Sequence, residues 1–141
     1  MVFLDSCLSP RLRDIMKLAG IDATHLNDTL PLDVCDPTWM QKAADEGWPC
    51  LTKDDGITTR AREYAMLRAA GISVAVLRCG EHATLREQAA FILLWWPRID
   101  CELRRQERGI VLRLCTAVHQ PRLERLDDYG TLVRVTTSYH I

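Results

Sequence analysis

The stretch Trp48-Pro49-Cys50-Leu51-Thr52-Lys53-Asp54-Asp55-Gly56 decides the fold of this chain. Its first half predicts a short buried strand, which runs into two carboxylates and a glycine. An apolar strand that ends in acidic residues is typical of an open α/β sheet, which builds its site at the carboxyl ends of its strands. Met1-Val2-Phe3-Leu4-Asp5 has the same form, an apolar run that stops at one aspartate. If the two strands are parallel neighbours, their carboxylates lie side by side and predict a site for a divalent metal.

Helix and strand patterns alternate outward from these two strands. Ser9-Pro10 and Asp36-Pro37 each predict a helix start, with the polar residue as N-cap and proline at the first helical position. Residues 21–26 and 72–77 predict further strands, and residues 58–70 predict a third helix. This alternation predicts an α/β fold with a mainly parallel sheet and right-handed crossovers.

The C-terminal part departs from the alternation. Residues 83–96 predict an amphipathic helix that Pro97 breaks, and residues 98–108 predict a short polar helix. Residues 110–118 and 131–137 predict two strands joined by a 12-residue connection. These two strands form either a hairpin at the edge of the sheet or an arm for a partner.

Length and charge are compatible with one globular unit that acts on a charged ligand. We expect a domain over residues 1–97 and a C-terminal extension over 98–141, a short helix and a β hairpin, that packs on the same domain. The net charge is −1, but residues 1–56 carry a net −5 and residues 57–141 a net +4. An acidic half beside a basic half suits a metal pocket next to a phosphate-binding surface, although solvated helix faces produce the same asymmetry.

Several classes of protein are disfavoured by the sequence. The six cysteines show neither C-x-x-C pairs nor zinc-finger spacing to a histidine, so a structural zinc site is not expected. The first residues lack the basic start and the long apolar segment of a signal peptide. The most apolar run, residues 89–96, is too short to span a bilayer. We therefore expect a cytoplasmic protein with free thiols and no membrane partner.

Three short motifs carry a family resemblance. They are Phe3-Leu4-Asp5-Ser6 with Leu8-Ser9-Pro10, then Leu18-Ala19-Gly20-Ile21-Asp22-Ala23, then Leu51-Thr52-Lys53-Asp54. In this order the motifs resemble the PIN-like nuclease superfamily, in the branch that includes the Mut7-C domains and the small VapC-like toxins of toxin–antitoxin pairs. The resemblance covers roughly residues 1–80. It implies a three-layer α/β/α domain whose acidic cluster binds Mg²⁺ or Mn²⁺ and cleaves RNA.

The resemblance also implies roles for individual residues. Asp5 matches the first acid of the family, Asp36 the acid at the start of the helix before the third strand, and Asp54 the acid of the Leu-Thr-Lys-Asp motif. These three are the expected catalytic residues and metal ligands, and Asp55 is a fourth candidate ligand. Ser6 stands where some relatives have an acid, so the cluster holds fewer carboxylates than a full two-metal site.

Basic residues near these acids are candidates for binding the RNA backbone. Arg11 and Arg60 are expected near helix N-termini, which favour phosphate, and Lys53 and Arg62 lie beside the acidic motif. The alternative for each is an exposed helix face. The resemblance further implies an antitoxin protein as partner and a homodimer.

Simpler explanations exist for each acid, and two other functions stay open. Asp5 is also explained as a turn residue after a strand, Asp36 and Asp54 as helix caps, and Asp55 as an exposed turn residue. The first alternative function is a receiver-like signalling domain, although the expected acidic pair after the first strand is missing. The second is a catalytically weak PIN-like interaction module, which the thinned acidic cluster motivates.

Overall fold

The computed structural model describes residues 1–29, 36–104, 109–116, 121–127 and 132–136. Within these ranges the chain forms seven strands, five α-helices and one 3₁₀ helix. The strands are β1 Val2–Leu4, β2 Ala23–His25, β3 Cys50–Thr52, β4 Val74–Arg78, β5 Val111–Cys115, β6 Arg122–Leu126 and β7 Leu132–Thr136. The helices are α1 Pro10–Leu18, α2 Leu26–Thr29, α3 Asp36–Glu46, α4 Ala61–Ala70 and α5 Leu85–Leu103, and the 3₁₀ helix is Asp55–Thr58.

The strands form one sheet in the order β2-β1-β3-β4-β5-β6-β7. Neighbouring strands are parallel from β2 to β5, whereas β6 and β7 are antiparallel to their neighbours. Parallel neighbours need crossover connections, and helices supply those between β1, β2, β3 and β4. The predicted α/β fold with a mainly parallel sheet is therefore confirmed.

Helices cover both faces of the sheet. Alternate residues of β1 point to opposite sides, so Leu4 joins the buried cluster that holds Leu12 and Trp95, and Phe3 stacks on Trp39 in the other. The first cluster contains residues of α1 and α5, and the second contains residues of α3 and α4. Because both faces are buried, the central strands are apolar at nearly every position.

The C-terminal strands differ from the prediction. β5 is parallel to β4 and lies inside the sheet, not in an edge hairpin. The predicted 12-residue connection is also wrong, because Arg122–Leu126 within it forms strand β6 between β5 and β7. This segment, Arg-Leu-Glu-Arg-Leu, has the charge content of a loop, but Leu123, Glu124 and Leu126 are buried. Residues 117–120, 128–131 and 137 of the predicted connection and strands lie outside the described residues.

The predicted helix break at Pro97 is wrong as well. Helix α5 is continuous from Leu85 to Leu103 and contains Pro97 in its interior. Proline costs free energy there because it lacks an N–H and clashes with the preceding turn. The buried residues Trp95 and Ile99, on either side of the proline, offset this cost by packing. The boundary predicted between residues 97 and 98 stays a prediction, and residues 105–108 of the predicted polar helix lie outside the described part.

None of the described helices combines the length and the apolar character that a bilayer-spanning segment needs.

Substitution of Pro97 tests the continuity of α5. We expect Pro97→Ala to raise the free energy of unfolding by roughly 1 to 3 kcal/mol, because it restores an interior helical hydrogen bond and removes a steric clash. Urea denaturation measures the change. Pro10→Ala is the matched control, since Pro10 lies at the start of α1, where proline is tolerated. An unchanged free energy for Pro97→Ala would show that the helix ends before residue 97.

Candidate active site

The carboxyl ends of β1 and β3 meet at one edge of the sheet. Leu4 pairs with Leu51, so Asp5 follows β1 at the same level as Thr52, the last residue of β3. The Thr52 hydroxyl is fully buried and donates to Asp5 Oδ2 at 2.8 Å. The Ser6 amide donates to Asp5 Oδ1 at 2.7 Å. The carboxylate of Asp5 is therefore held in one orientation from both sides.

Cys7 completes the support of this carboxylate. Its Sγ lies 3.4 Å from Asp5 Oδ2 and 3.3 Å from Thr52 Oγ1, and the Lys53 amide donates to it at 3.4 Å. Burial and the charge of Asp5 raise the pKa of the Cys7 thiol. A protonated thiol is a hydrogen-bond donor and a weak nucleophile, so Cys7 supports Asp5 and does not act as an attacking group.

Asp54 is a helix cap that also pairs with an arginine. Its Oδ1 accepts from the Gly56 amide at 3.1 Å, which caps the 3₁₀ helix. Its Oδ2 lies 2.7 Å from Arg60 Nη2, and the same guanidinium contacts Glu63. The pKa of Arg60 is raised by hydrogen bonds to Glu63 and Asp54. A Cβ added at Gly56 would lie 2.8 Å from Arg60 Cζ, so glycine leaves the room that this ion pair needs.

Asp55 is held by a different arginine. Its Oδ2 lies 3.1 Å from Nε of Arg78, the last residue of β4. Its Oδ1 is buried and has no hydrogen-bond partner among the described residues. Sequence analysis missed Arg78 because its partner lies on another strand, and a charged residue at a strand end gives no local signal of pairing.

The remaining predicted residues are less fully placed. Helix α3 begins at Asp36, but the side chain of Asp36 lies outside the described part of the structure. Arg11, Lys53 and Arg62 are exposed and form no salt bridge with any described residue. Lys53 directly precedes Asp54 at the carboxyl edge, and Arg62 lies in the first turn of α4. These positions leave all three cations available to a ligand.

The described acids are of the chemical type that a divalent metal prefers, but too few of them lie together to surround the ion completely. Carboxylate oxygens are the ligands that Mg²⁺ prefers. Oδ1 of Asp55, which has no hydrogen-bond partner among the described residues, is an oxygen of this kind. However, no three His, Cys, Asp or Glu side chains come together as a metal cage among the described residues. Asp54 and Asp55 each also form a salt bridge with an arginine. The acids therefore fit an ion held by one or two carboxylates together with a substrate phosphate, as is usual for Mg²⁺.

A second group of charges lies farther along the same edge of the sheet. Glu124 on β6 is 4% exposed, and its Oε1 lies 3.0 Å from Arg113 Nη2. Its Oε1 also accepts from Cys115 Sγ at 3.2 Å, and its Oε2 accepts from Arg122 Nε at 3.0 Å. Burial acts to raise the pKa of Glu124, but the hydrogen bonds from Arg122 and Cys115 and the charge of Arg113 outweigh it and hold the pKa low.

This depressed pKa predicts a pH-dependent contribution of Glu124 to stability. Because the folded pKa lies below the ordinary value of 4.5, the contribution is present above that pH and is lost as the pH falls through the folded pKa. We expect Glu124→Gln to lower the free energy of unfolding by roughly 2 to 3 kcal/mol at neutral pH, with a shrinking difference below the ordinary value. Urea denaturation across this pH range measures it.

Glu46→Gln is the matched control for this prediction. Glu46 pairs with Lys42 on an exposed helix face, where such pairs contribute little. Its substitution should leave the free energy of unfolding nearly unchanged at every pH. If Glu124→Gln behaved in the same way, the buried charge cluster would not stabilise the fold.

The fold and the site together define a class of protein. An open, mainly parallel α/β sheet with carboxylates and cations at its carboxyl edge is typical of proteins that bind ligands beyond the strand ends. Residues 1–78 match the family described as PIN like domain, and the chain belongs to this family. PIN-like domains are generally nucleases, and those nucleases generally use divalent metals. No curated protein and no solved structure matches the chain.

The family match bears on the alternatives left open by the sequence. The order β2-β1-β3-β4-β5 also occurs in flavodoxin-like and receiver domains, so topology alone does not separate them from a PIN-like domain. The match over residues 1–78 favours the PIN-like assignment.

Proposed function

We propose that the protein is a metal-dependent endoribonuclease in which Asp5 is the central acid. The observation that carries the proposal is the orientation of Asp5 at the carboxyl edge of the sheet, fixed by Thr52 and Ser6, in a chain of the PIN-like family. A carboxylate that is already oriented needs no reorganisation when its ligand arrives. The cations nearby suit a polyanionic substrate such as RNA.

Mg²⁺ or Mn²⁺ would be held by Asp5 and Asp54, with Asp36 and Asp55 as further candidate ligands. Such an ion lowers the pKa of a bound water and stabilises charge on a phosphodiester. The part played by the chain is to present the carboxylates and to hold the RNA. Arg11, Lys53 and Arg62 are free to bind phosphates, which gives affinity without sequence selection.

Arg60 has a particular part in this proposal. In the structure it neutralises Asp54, and half of its side chain is exposed. A phosphate competes well for a guanidinium, because the planar fork of donors matches phosphate geometry. Arrival of the RNA backbone would draw Arg60 from Asp54 and free a carboxylate for the metal. Binding of substrate and completion of the acidic site are thereby linked.

Substitution of Asp5 tests the nuclease directly. We expect Asp5→Asn to lower the rate of Mn²⁺- or Mg²⁺-dependent cleavage of single-stranded RNA by at least a hundredfold, because an amide cannot replace the carboxylate as a metal ligand. Gel electrophoresis of a labelled RNA measures the rate. Asp22→Asn is the matched control, since Asp22 lies just before β2, at the opposite edge of the sheet. Full cleavage by Asp5→Asn would disprove the assignment.

Substitution of Arg60 tests the exchange of partners. We expect Arg60→Gln to raise KM for RNA by about fivefold to tenfold, because one phosphate contact is lost. The Mg²⁺ concentration needed for half-maximal cleavage should fall, because Asp54 is no longer paired. Titrations of RNA and of Mg²⁺ measure the two quantities separately. Arg86→Gln, which removes an exposed arginine of α5, should change neither, and an unchanged metal requirement in Arg60→Gln would contradict the exchange.

We also infer that the nuclease is the toxin half of a VapC-like toxin–antitoxin module. The motif resemblance over roughly residues 1–80 supports this assignment. It implies a cytoplasmic protein with an antitoxin partner and, as in the resemblance, a homodimer. Expression of the wild-type chain should arrest growth, and expression of Asp5→Asn should not. Growth arrest by both chains, or by neither, would contradict the toxin assignment.

A catalytically weak PIN-like interaction module is the second candidate function. The pairing of Asp54 with Arg60 and of Asp55 with Arg78 favours it, because these arginines occupy the carboxylates that a nuclease needs. This candidate predicts no cleavage with either metal, for wild type and Arg60→Gln alike, together with intact binding of a partner.

A further inference from the structure

A cleft of about 820 Å³ lies at the carboxyl ends of β3, β4 and β5, beyond the Asp5 site. Three cations from three parts of the chain line it: Lys53 after β3, Arg78 at the end of β4 and Arg122 at the start of β6. Sheet topology brings them together, since β4 pairs with β5 and β5 with β6. Arg122 lies outside residues 1–78, so the C-terminal part of the chain supplies one wall.

The two arginines are anchored in a way that leaves donors available. Arg78 Nε lies 3.1 Å from Asp55 Oδ2, and among the described residues its Nη1 makes only a long contact of 3.9 Å with Cys115 Sγ. Arg122 Nε lies 3.0 Å from Glu124 Oε2. A guanidinium carries five N–H donors in a rigid fork. Each arginine is therefore fixed through Nε, and its terminal nitrogens retain donors for a ligand.

The charges around the cleft favour an anion. Lys53 is exposed and pairs with no described acid, so its charge is not neutralised. Asp55 and Glu81 also line the cleft, and Asp55 and Arg78 neutralise each other's charge. Glu124 is shared by Arg113 and Arg122, so that group keeps one positive charge, and Lys53 adds a second against the exposed Glu81. An open cleft with one lysine and two guanidinium groups suits a phosphate, which both types of side chain bind.

We propose that this cleft binds a backbone phosphate of the same RNA strand whose scissile phosphate lies at Asp5. The proposal rests on the proposed ribonuclease function. Neighbouring strands lie about 4.8 Å apart, so the ends of β4 and β5 are roughly 10 to 15 Å from that of β1, a span that a single strand of RNA bridges. Lys53 lies between the two sites. Contacts to phosphate position the strand and carry no sequence information.

Salt-dependent binding of RNA tests the cleft without cleavage. A fluorescently labelled single-stranded oligoribonucleotide is titrated in EDTA with wild type, Lys53→Gln and Arg122→Gln, and its anisotropy gives Kd. We expect each variant to raise Kd about fivefold to tenfold and to lower the slope of log Kd against log salt by about 0.7, the value for one phosphate contact on a single strand.

Matched variants separate this effect from loss of charge or of fold. Arg104→Gln removes the same charge at the opposite end of α5, beside Met1 and Val2, and should change neither Kd nor the slope. Arg122→Gln keeps Glu124 paired with Arg113, and the Lys53 side chain has no salt bridge with a described residue to lose. Unfolding curves in urea verify that each variant is folded. If Kd and slope of both cleft variants equalled those of Arg104→Gln, the proposal would be overturned.

Two further comparisons identify the kind of phosphate that is bound and test the cleft separately from the nuclease activity. If the effect of Arg122→Gln appears only on an RNA with a 5′-phosphate, the cleft binds a terminal group and the backbone proposal is overturned. If wild type binds RNA through Lys53 and Arg122 but cleaves with neither metal, the nuclease assignment fails, and the cleft stands as a phosphate site for RNA with no scissile phosphate at Asp5. If cleavage depends on Asp5 while Kd does not depend on the cleft residues, the nuclease assignment stands and the cleft proposal is overturned. An absence of RNA binding by wild type overturns the cleft, and the cleavage assay decides the nuclease independently.

Discussion

The parallel pairing of β1 with β3 is the constraint on which the site depends. Leu4 and Leu51 are 47 positions apart in the sequence, and their pairing brings the ends of β1 and β3 to the same level. Thr52 therefore reaches Asp5 across the edge of the sheet. The Thr52 hydroxyl is fully buried, and a buried hydroxyl needs a partner. Asp5 meets that need and is fixed by it. A one-residue change of register would turn these side chains to the other face of the sheet.

Salt bridges with arginines hold the other two described acids of the site, Asp54 and Asp55. Asp54 and Asp55 are adjacent, yet they pair with Arg60 and Arg78, which belong to different elements. Each pair is partly exposed, so it contributes little to stability and exchanges easily with a phosphate. In the proposed function, the same arginines that hold the acids also supply hydrogen-bond donors for a polyanion. Acids and cations are interleaved there, which suits a site where a metal and a phosphate meet.

The C-terminal strands extend this edge and stabilise it. β5 adds a further parallel strand, and β6 places Glu124 in a buried position between two arginines. A buried carboxylate is tolerated because its hydrogen bonds and charge partners replace water. Arg122 is anchored by the same carboxylate and faces the cleft. The charge cluster of β6 therefore links the stability of the sheet to the shape of the cleft at its carboxyl edge.

The sequence by itself determined the parallel α/β core and the position of Asp5, because burial on both faces leaves apolar runs that stop at the strand ends. It also predicted the Ser9 cap of α1, whose side chain accepts from Arg11 N. Only the tertiary structure decided β6, the continuity of α5 through Pro97, and the partners of Asp54 and Asp55. The physical reason is the distance along the sequence over which each interaction acts. Helix caps and hydrophobic periodicity depend on residues a few positions apart. The burial of Glu124 and the ion pair of Asp55 depend on arginines from other strands, and no local sequence pattern reveals them.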